Sequence, residues 1–416
     1  MNKRRVVITG LGAATPLGDS VDILWESLLK GKSGVSNIES FDTTNFSVHF
    51  AGEIKEKDFD ISKYVDVREG RRMDRFTQLA VGSAVNAMTD SGLDMAKVDL
   101  DRCGVIVGSG IGGIQEIEQQ HIRLLNKGPR AVSPFTVPKL MGNAACGTIS
   151  MMYGMRGPNF CVVTACASAS HAIGEALYNI LNDRSDIVIA GGSEAAVSPV
   201  GLSSFCALRS LSTRNDEPQL ASRPFDIARD GFVMAEGAGI VVLEEYEHAK
   251  KRGAKIYAEL LGYGATGDAN HITAPLPDGA GAAKAMKLAL KQAGIANEKI
   301  DYINAHGTST ELNDVAETTA IKNVFGQHAY NISINSTKSM LGHSLGASGA
   351  IELVVVCKTI ENSILHPTIN LDNVDPACDN KLDFVPKVAK DRKVNYALSN
   401  SFGFGGHNCS LVIGRV

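Results

Sequence analysis

The chain has 416 residues, of which 44% are hydrophobic and 21% charged, so it is a globular protein too long for one ordinary core. A net charge of -4 gives it no overall attraction to nucleic acid or to an anionic membrane, and neither is expected as a partner. The eight cysteines are widely spaced and contain no CxxC pair, which argues against a zinc site or a disulfide framework.

The N-terminus, MNKRRVVITGLG, has basic residues followed by apolar ones, which is also the order found in signal peptides. Its apolar run, Val6 to Ile8, is too short for the core of such a peptide, so it predicts a first β-strand and a cytoplasmic protein. No stretch of the chain reaches the ~18 unbroken apolar residues of a membrane span.

The first part of the chain alternates strand patterns with helix patterns. Short β-branched runs follow one another in the order VVITG, CGVIVGSG, FCVVTA, DIVIAGG and GIVVLEE. Between them lie stretches with helical spacing of apolar residues, such as RFTQLAVGSAVNAMTDSG. Buried strands that alternate with helices predict a layered α/β fold.

The chain then repeats its own order of elements. IYAELLGYGATG echoes RRVVITGLGAAT, and ISINSTKSMLGHSLGASGAIELV echoes CVVTACASASHAIGEAL. We therefore predict two duplicated halves, residues 1–255 and 256–416. The first half is longer, and its extra segments around 34–70, 115–160 and 198–235 are candidates for dimer contacts and for a cover over an active site.

One cysteine stands where a strand pattern turns into a helix pattern. Apolar residues after Cys166 follow helical spacing, so its backbone lies at or just before a helix N-terminus. Such a position supplies free N–H groups and a partial positive charge, which predict a lowered thiol pKa and a place for an oxyanion. The alternative is a buried, unreactive cysteine, which is the usual fate of free cysteines and the better interpretation of the other seven.

Two histidines occur in small-residue turns that follow strands in the second half. His306 lies in NAHGTST and His343 in KSMLGHSLGASGA, five residues after Lys338. The repeat places His343 at the corner that mirrors Cys166. Packing of the halves about a pseudo-twofold axis predicts that these side chains meet in one pocket.

These blocks carry a resemblance to a known family. VVTACASASHAIGEA, NAHGTSTELND, KSMLGHSLGASGAIE and NSFGFGGHN resemble the signature blocks of the β-ketoacyl-acyl-carrier-protein synthases of the thiolase superfamily. The resemblance runs in order along essentially the whole chain and is greatest to the elongating members. The Cys-His-His set differs from the Cys-His-Asn set of the initiating synthases.

The resemblance implies a thiolase-like, five-layered αβαβα fold of two pseudo-duplicated halves, a homodimer, and an active site between the halves. It implies that Cys166 is the acylated nucleophile, and that His306 and His343 are the paired histidines. Lys338 corresponds to the family's lysine, and Glu352 to the acidic residue of the following helix.

Further positions are implied in the same way. Phe404 corresponds to a gating phenylalanine whose N–H joins that of Cys166 in an oxyanion hole. The remaining implied positions are Ile111 and Phe205 in an acyl pocket, Thr308 and Thr310 along the phosphopantetheine arm, and Asn304, Glu352, Ser399 and Asn400 around a structural monovalent cation. No catalytic metal is implied, and His407, where some relatives have threonine, is given no catalytic role.

The implied partner is an acidic acyl carrier protein, loaded with acyl or malonyl groups. Because the chain is net negative, docking requires a local basic patch. The spacing of Arg71, Arg72 and Arg75 predicts one basic helix face, and Arg130 and Arg209 correspond to positions near the family's tunnel mouth.

The implied reaction is a decarboxylative Claisen condensation of malonyl-carrier protein with an acyl group held on Cys166, which elongates a fatty acid by two carbons. The Lys338 charge near His343 is expected to favour the neutral form of that imidazole. Two neutral imidazoles are expected to donate N–H groups to a thioester enolate. No redox, metal or organic cofactor is expected, since phosphopantetheine arrives on the carrier.

Four alternatives remain for the sequence. A dedicated polyketide pathway uses the same chemistry. A thiolase requires a second cysteine in a CxGGG block, whereas Cys409 lies in a predicted strand. A non-catalytic chain-length subunit lacks the nucleophile that Cys166 supplies, and a serine hydrolase requires a GxSxG elbow that this corner does not have.

Overall fold

Both halves of the chain alternate strands with helices, in the computed structural model that describes residues 4–416. The strands of the first half are β1 Val6–Ala14, β2 Ser36–Asn37, β3 Phe50–Ala51, β4 Cys103–Gly108, β5 Asn159–Val162, β6 Ile187–Glu194 and β7 Gly237–Glu245. Its helices are α1 Val21–Leu29, α2 Val67–Gly70, α3 Arg75–Ser91, α4 Ile114–Lys127, α5 Thr136–Leu140, α6 Ala144–Tyr153, α7 Ser168–Leu181, α8 Pro199–Ala207 and α9 Tyr246–Lys251.

The second half continues the same alternation with fewer elements. Its strands are β8 Ala258–Gly267, β9 Tyr302–Asn304, β10 Ser333–Asn335, β11 Ile364–Leu365, β12 Lys390–Asp391, β13 Tyr396–Gly403 and β14 His407–Gly414. Its helices are α10 Ala280–Ala293, α11 Glu311–Phe325, α12 Lys338–Leu341 and α13 Ser348–Asn362.

The two halves build sheets of identical topology. The strand order is β5-β4-β6-β7-β1 in the first half and β10-β9-β13-β14-β8 in the second. Each pair has the same direction as its counterpart, parallel for β4–β5 and β9–β10 and antiparallel for β6–β7 and β13–β14. The sheets are joined through a short β1–β8 pairing at Val7 and Ile8. This order confirms the predicted duplication.

Strand alternation divides the molecule into layers. Val105 and Val107 of β4 pack into a core with α3 and α6, whereas Ile106 between them packs into the central core with α7 and α13. In the second sheet, Ile303 and Val412 face the core formed with α10 and α11. The succession of helices, sheet, α7 with α13, sheet and helices confirms the five-layered αβαβα prediction.

The central helices lie close to the first sheet because glycines leave room for them. A Cβ at Gly108 would lie 2.4 Å from the backbone carbonyl carbon of Ser168, and one at Gly239 would lie 2.4 Å from the backbone nitrogen of Ile351. The start of α7 is therefore fixed against the end of β4. This contact sets the position of the cysteine corner that precedes α7.

The boundary at residue 255 stays a prediction, and it falls in the link between α9 and β8. Among residues 4–416, no helix is both long enough and apolar enough to cross a membrane.

Candidate active site

A cavity of about 620 Å³ lies between the two halves and contains most of the predicted site residues. Its walls include Cys166, Ile111, Phe205, Arg209, His306, Thr308, Thr310, His343 and Phe404. The extra segment at 198–235 contributes Phe205, Leu208 and Phe232 to these walls, as expected for a cover over the site. The sequence alone did not define the shape of this cavity.

The cysteine corner is a tight turn between β5 and α7. Ala165 adopts a positive φ of 50°, which redirects the chain just before Cys166. The hydroxyl of Ser168 accepts a hydrogen bond from the Thr164 N–H at 2.8 Å and donates one to the Ala165 carbonyl at 2.7 Å. These bonds hold the predicted corner, with Cys166 two residues before α7.

The backbone N–H groups of Phe404 and of Cys166 itself lie close enough to the Cys166 thiol to lower its pKa. The Phe404 loop reaches this point because Gly403 has no side chain: a Cβ there would lie 3.0 Å from the Cys166 nitrogen. Paired amide donors at the reacting sulfur have the arrangement that stabilises an oxyanion on a carbonyl attacked there.

The predicted lowering of the thiol pKa is wrong. Burial raises the pKa of Cys166 to about 11, although the Phe404 N–H and the Lys338 charge act in the opposite direction. The side chain is only 7% exposed, so loss of solvation outweighs the backbone N–H groups and the Lys338 charge. Burial therefore favours the neutral thiol over the thiolate at this position.

His306 and His343 lie side by side, with ring centroids 5.3 Å apart and planes at 85°. Burial is the larger cause that holds both pKa values well below the usual histidine range, and the Lys338 charge lowers them further. The expected direction of the Lys338 effect is therefore present. His343 Nδ1 lies 2.9 Å from the Ser348 hydroxyl, which fixes a protonated Nε2 when that hydroxyl donates.

Lys338 and Glu352 form a buried ion pair behind the cavity and do not line it. The ammonium lies 2.5 Å from Glu352 Oε1, and each side chain is about 2% exposed. Burial raises the pKa of Glu352 to about 7 despite this contact. Lys338 acts on the two histidines through its charge.

The residues of the implied cation site supply buried oxygens that lack partners. Asn304 Oδ1, Glu352 Oε2 and Ser399 Oγ have no hydrogen-bond partner. Asn304 and Ser399 are paired across β9 and β13. Asn400 differs, since its Oδ1 accepts a hydrogen bond from the Ser410 hydroxyl. Three unpaired oxygens with one carboxylate fit a hard monovalent cation.

The acyl-pocket and pantetheine positions also face the cavity. Ile111 is 43% exposed in its glycine-rich turn, and Phe205 packs edge-on against Phe232 with centroids 5.4 Å apart. Phe232, which the sequence did not single out, makes a similar contact with His343. The hydroxyls of Thr308 and Thr310 are 2.9 Å apart at the cavity wall.

The predicted single basic helix face is wrong. Arg71 and Arg72 lie in the turn between α2 and α3, because the Asp74 side chain accepts the Phe76 N–H and starts a new helix. Arg75 donates to the Ile54 carbonyl and is not free for docking.

Among the other docking positions, Arg209 is exposed on the wall of the reactive cavity, whereas Arg71 lines a separate one. Arg72 pairs with Glu69 and lies over the Phe135 ring, and Arg130 is exposed. The predicted docking arginines therefore do not form one patch, since Arg209 and Arg71 line different cavities.

Sequence reasoning missed Glu317, a buried carboxylate of α11. It accepts the N–H groups of His306 at 2.9 Å and Gly307 at 2.8 Å, and so holds the histidine turn. Burial raises the pKa of Glu317 to about 7. The available signal was an acidic residue on the buried face of the helix that directly follows NAHGTST.

The fold and this cysteine–histidine pocket define a class of condensing enzyme. Residues 3–249 match the family described as Beta-ketoacyl synthase, N-terminal domain, and residues 257–372 match its C-terminal domain. The chain belongs to the β-ketoacyl synthase family, which confirms the predicted resemblance.

Individual relatives are similar over the full length. The chain is 51% identical over 416 residues to the 3-oxoacyl-[acyl-carrier-protein] synthase 2 of Coxiella burnetii, covering 100% of both chains. It is 50% identical to the synthase 2 of Synechocystis sp., covering 99% of this chain and 98% of that protein. A chain from a solved complex of a type II polyketide acyl-carrier protein with its ketosynthase superposes with a TM-score of 0.92, at 38% identity and 100% coverage of both chains.

Proposed function

We propose that the protein is an elongating 3-oxoacyl-acyl-carrier-protein synthase that adds two carbons from malonyl-carrier protein to a fatty acyl chain. One observation carries this proposal: a single cavity joins a cysteine, two amide donors at its sulfur and two neutral imidazoles. The thiol and the amide donors serve acyl transfer, and the imidazoles serve enolate formation.

The first step is acyl transfer to Cys166. The sulfur attacks the thioester carbonyl, and the N–H groups of Cys166 and Phe404 hold the oxyanion. The bond to the carrier sulfur then breaks, and the thiol proton ends on the departing carrier thiol. This exchange of one thioester for another needs no stable thiolate, which agrees with a thiol pKa of about 11.

The second step is decarboxylation of malonyl-carrier protein. Loss of carbon dioxide leaves an electron pair as a thioester enolate, and N–H groups of His306 and His343 stabilise its oxygen. The enolate carbon attacks the acyl-cysteine carbonyl, and the bond to Cys166 breaks. The product is the 3-oxoacyl-carrier protein, and the released sulfur takes up a proton.

No redox or organic cofactor takes part in this scheme. Asn304, Glu352 and Ser399 would hold a monovalent cation, which supplies charge compensation for the buried carboxylate beside Lys338. Thr308 and Thr310 are assigned to the pantetheine arm, and Ile111 and Phe205 to the acyl chain.

The proposed partners are an acyl carrier protein and a second copy of this chain. Strand β5 is an edge of the sheet, and Phe160 and Val163 on and beside it are 38% and 62% exposed. Met151 on the adjacent α6 is 78% exposed. An apolar sheet edge of this kind favours pairing with another copy. We place the proposed enzyme in the cytoplasm.

A chain-elongation assay tests the proposal. The protein is incubated with short, medium and long acyl-carrier proteins, and intact mass is measured before and after malonyl-carrier protein is added. We expect an acyl adduct on Cys166, followed by a 3-oxoacyl product two carbons longer. Absence of both products with every chain contradicts the function, whereas repeated condensation on one carrier indicates the polyketide alternative.

A further inference from the structure

A fully buried carboxylate joins two loops that meet beside the reactive cavity. Glu194, the last residue of β6, is 0% exposed. Its Oε1 accepts the Ser109 hydroxyl at 3.0 Å and the Ile111 N–H at 3.1 Å. Its Oε2 accepts the Gly110 N–H at 2.7 Å and the Gly346 N–H at 3.0 Å. All four donors are neutral groups.

The two loops belong to different halves of the molecule. Ile111 lines the cavity from the first half, whereas Gly346 follows His343 by three residues in the second. A Cβ at Gly346 would lie 2.3 Å from the Gly110 nitrogen and 2.6 Å from Glu194 Oε2. The backbones therefore meet at the carboxylate, and one oxygen holds both of them.

A carboxylate is required for this arrangement because four donors point at it and it has none of its own at neutral pH. Burial raises the pKa of Glu194, and the four hydrogen bonds oppose that change. Its charge also raises the pKa of Cys166. An amide in the same place would point N–H groups at two of the existing donors, which disrupts one loop or the other.

We propose that Glu194 is a positioning residue that couples the Ile111 loop to the His343 loop and thereby sets how strictly the pocket discriminates acyl chain length. The inference rests on the proposed function for its meaning in catalysis. The position of the loops, however, is measurable without any condensation.

The test uses Cys166 alkylation by N-alkyl maleimides of graded chain length, which probes the pocket without any carrier protein. Glu194→Gln frees the Ile111 loop, so we expect the ratio of long-reagent to short-reagent rates to rise by at least about threefold. The pH dependence of the short-reagent rate should also move to lower pH, because the carboxylate charge is gone. Glu298→Gln, an exposed change of the same kind, should alter neither readout.

A second variant protects the test against misfolding. Ser109→Ala removes one of the four hydrogen bonds and should raise the same ratio by a smaller factor. Glu194→Asp keeps the charge and should return the pH dependence toward that of the wild type. Equal loss of rate for all reagents in Glu194→Gln and Ser109→Ala, with an unchanged ratio, overturns the proposal.

The same variants are then assayed with the acyl-carrier ladder. If the wild type condenses no acyl chain, the proposed function fails. The ratio of long-reagent to short-reagent alkylation rates still decides whether Glu194 controls the length of chain that the pocket accepts. If the wild type condenses and Glu194→Gln keeps its chain-length selectivity, the coupling is wrong while the function stands.

Discussion

The corner after β5 and the corner after β10 occupy equivalent places in two sheets of identical topology, yet they carry different chemistry. The first turns at once into α7 and presents a thiol with two amide donors. The second contains the additional helix α12, which buries Lys338 before the chain reaches His343 and α13. Duplication places the two corners in equivalent positions, and the second differs by the additional helix α12.

Both corners, and the His306 turn after β9, favour neutral groups, although the pKa shifts are in opposite directions. Burial raises the pKa of Cys166 and lowers the pKa values of His306 and His343. The formal charges near them lie behind the wall, in the Lys338–Glu352 pair and in the buried Glu194 carboxylate. The comparison teaches that this pocket prepares donors and a nucleophile without holding a stable ion at the reacting atoms.

Removing the first corner's thiol should have the largest effect. Cys166→Ala should abolish both the acyl adduct and condensation, because no other group takes over the covalent step. Intact mass and product formation measure the two losses. Cys378→Ala, which removes a buried thiol of the outer layer, should keep both. Acylation that persists in Cys166→Ala would end the assignment of roles to the two corners.

Removing one histidine, either His343 of the second corner or His306 of the turn after β9, separates the half reactions. His306→Ala or His343→Ala should slow malonyl decarboxylation by ~10²-fold or more, the scale of one lost oxyanion donor. Acylation of Cys166 should survive better, since its oxyanion is held by amides. Exposed His121→Ala serves as the control. Equal losses in both half reactions would contradict the division between the corners.

A larger side chain in the first-half loop tests the pocket. Ile111→Phe should shorten the longest accepted acyl chain by overpacking worth about 1–3 kcal/mol, enough for tenfold or greater discrimination. Short chains and decarboxylation should be nearly unaffected. The acyl-carrier ladder measures the change, and a uniform loss over all lengths points to misfolding instead.

Removing the buried Lys338–Glu352 pair tests how far its charge affects the pH dependence of decarboxylation. With Lys338 present, the histidine pKa values lie well below 6.5, so neutral imidazoles persist as the pH falls. In Lys338→Met/Glu352→Gln both charges are gone and the pKa values rise, so decarboxylation should fail at a higher pH on the acid side. The pH profile of malonyl decarboxylation measures this shift. An unchanged acid limb would show that burial alone keeps the imidazoles neutral.

The smallest expected effect concerns docking. Arg71→Glu/Arg72→Glu should raise the KM for carrier-bound substrate by about tenfold at low salt and hardly change that for a coenzyme A thioester. The difference should shrink with added salt, because exposed charges are screened within ~10 Å at 0.1 M. Exposed Arg184→Glu is the matched control. Unchanged carrier kinetics would move the docking surface to the Arg209 side of the cavity.

Local patterns predicted much of this structure. The sequence predicted the strand runs, the cysteine corner and the repeat because these features depend on periodicity within short segments. The meeting of Cys166 with His306 and His343 followed from the repeat and from the family resemblance. The fold and the composition of the cavity wall therefore agree closely with the sequence.

The features that the sequence did not predict correctly all depend on contacts that a short segment does not display. Burial is the largest influence on the Cys166 pKa, and no local sequence pattern displays it. The basic face failed because the Asp74 side chain caps a new helix inside the predicted one. Glu194 and Glu317 are single acids whose roles come from backbone N–H groups of other loops.

The burial of Cys166 has a consequence for the oxidation of its thiol. Because burial raises the pKa of the Cys166 thiol, less of it is present as thiolate than in an exposed cysteine. Peroxides oxidise thiolates in preference to thiols, so this nucleophile resists conversion to sulfenic and sulfinic acids. Burial therefore slows reaction of Cys166 with other electrophiles. A thioester that places its carbonyl at the two amide donors can still react.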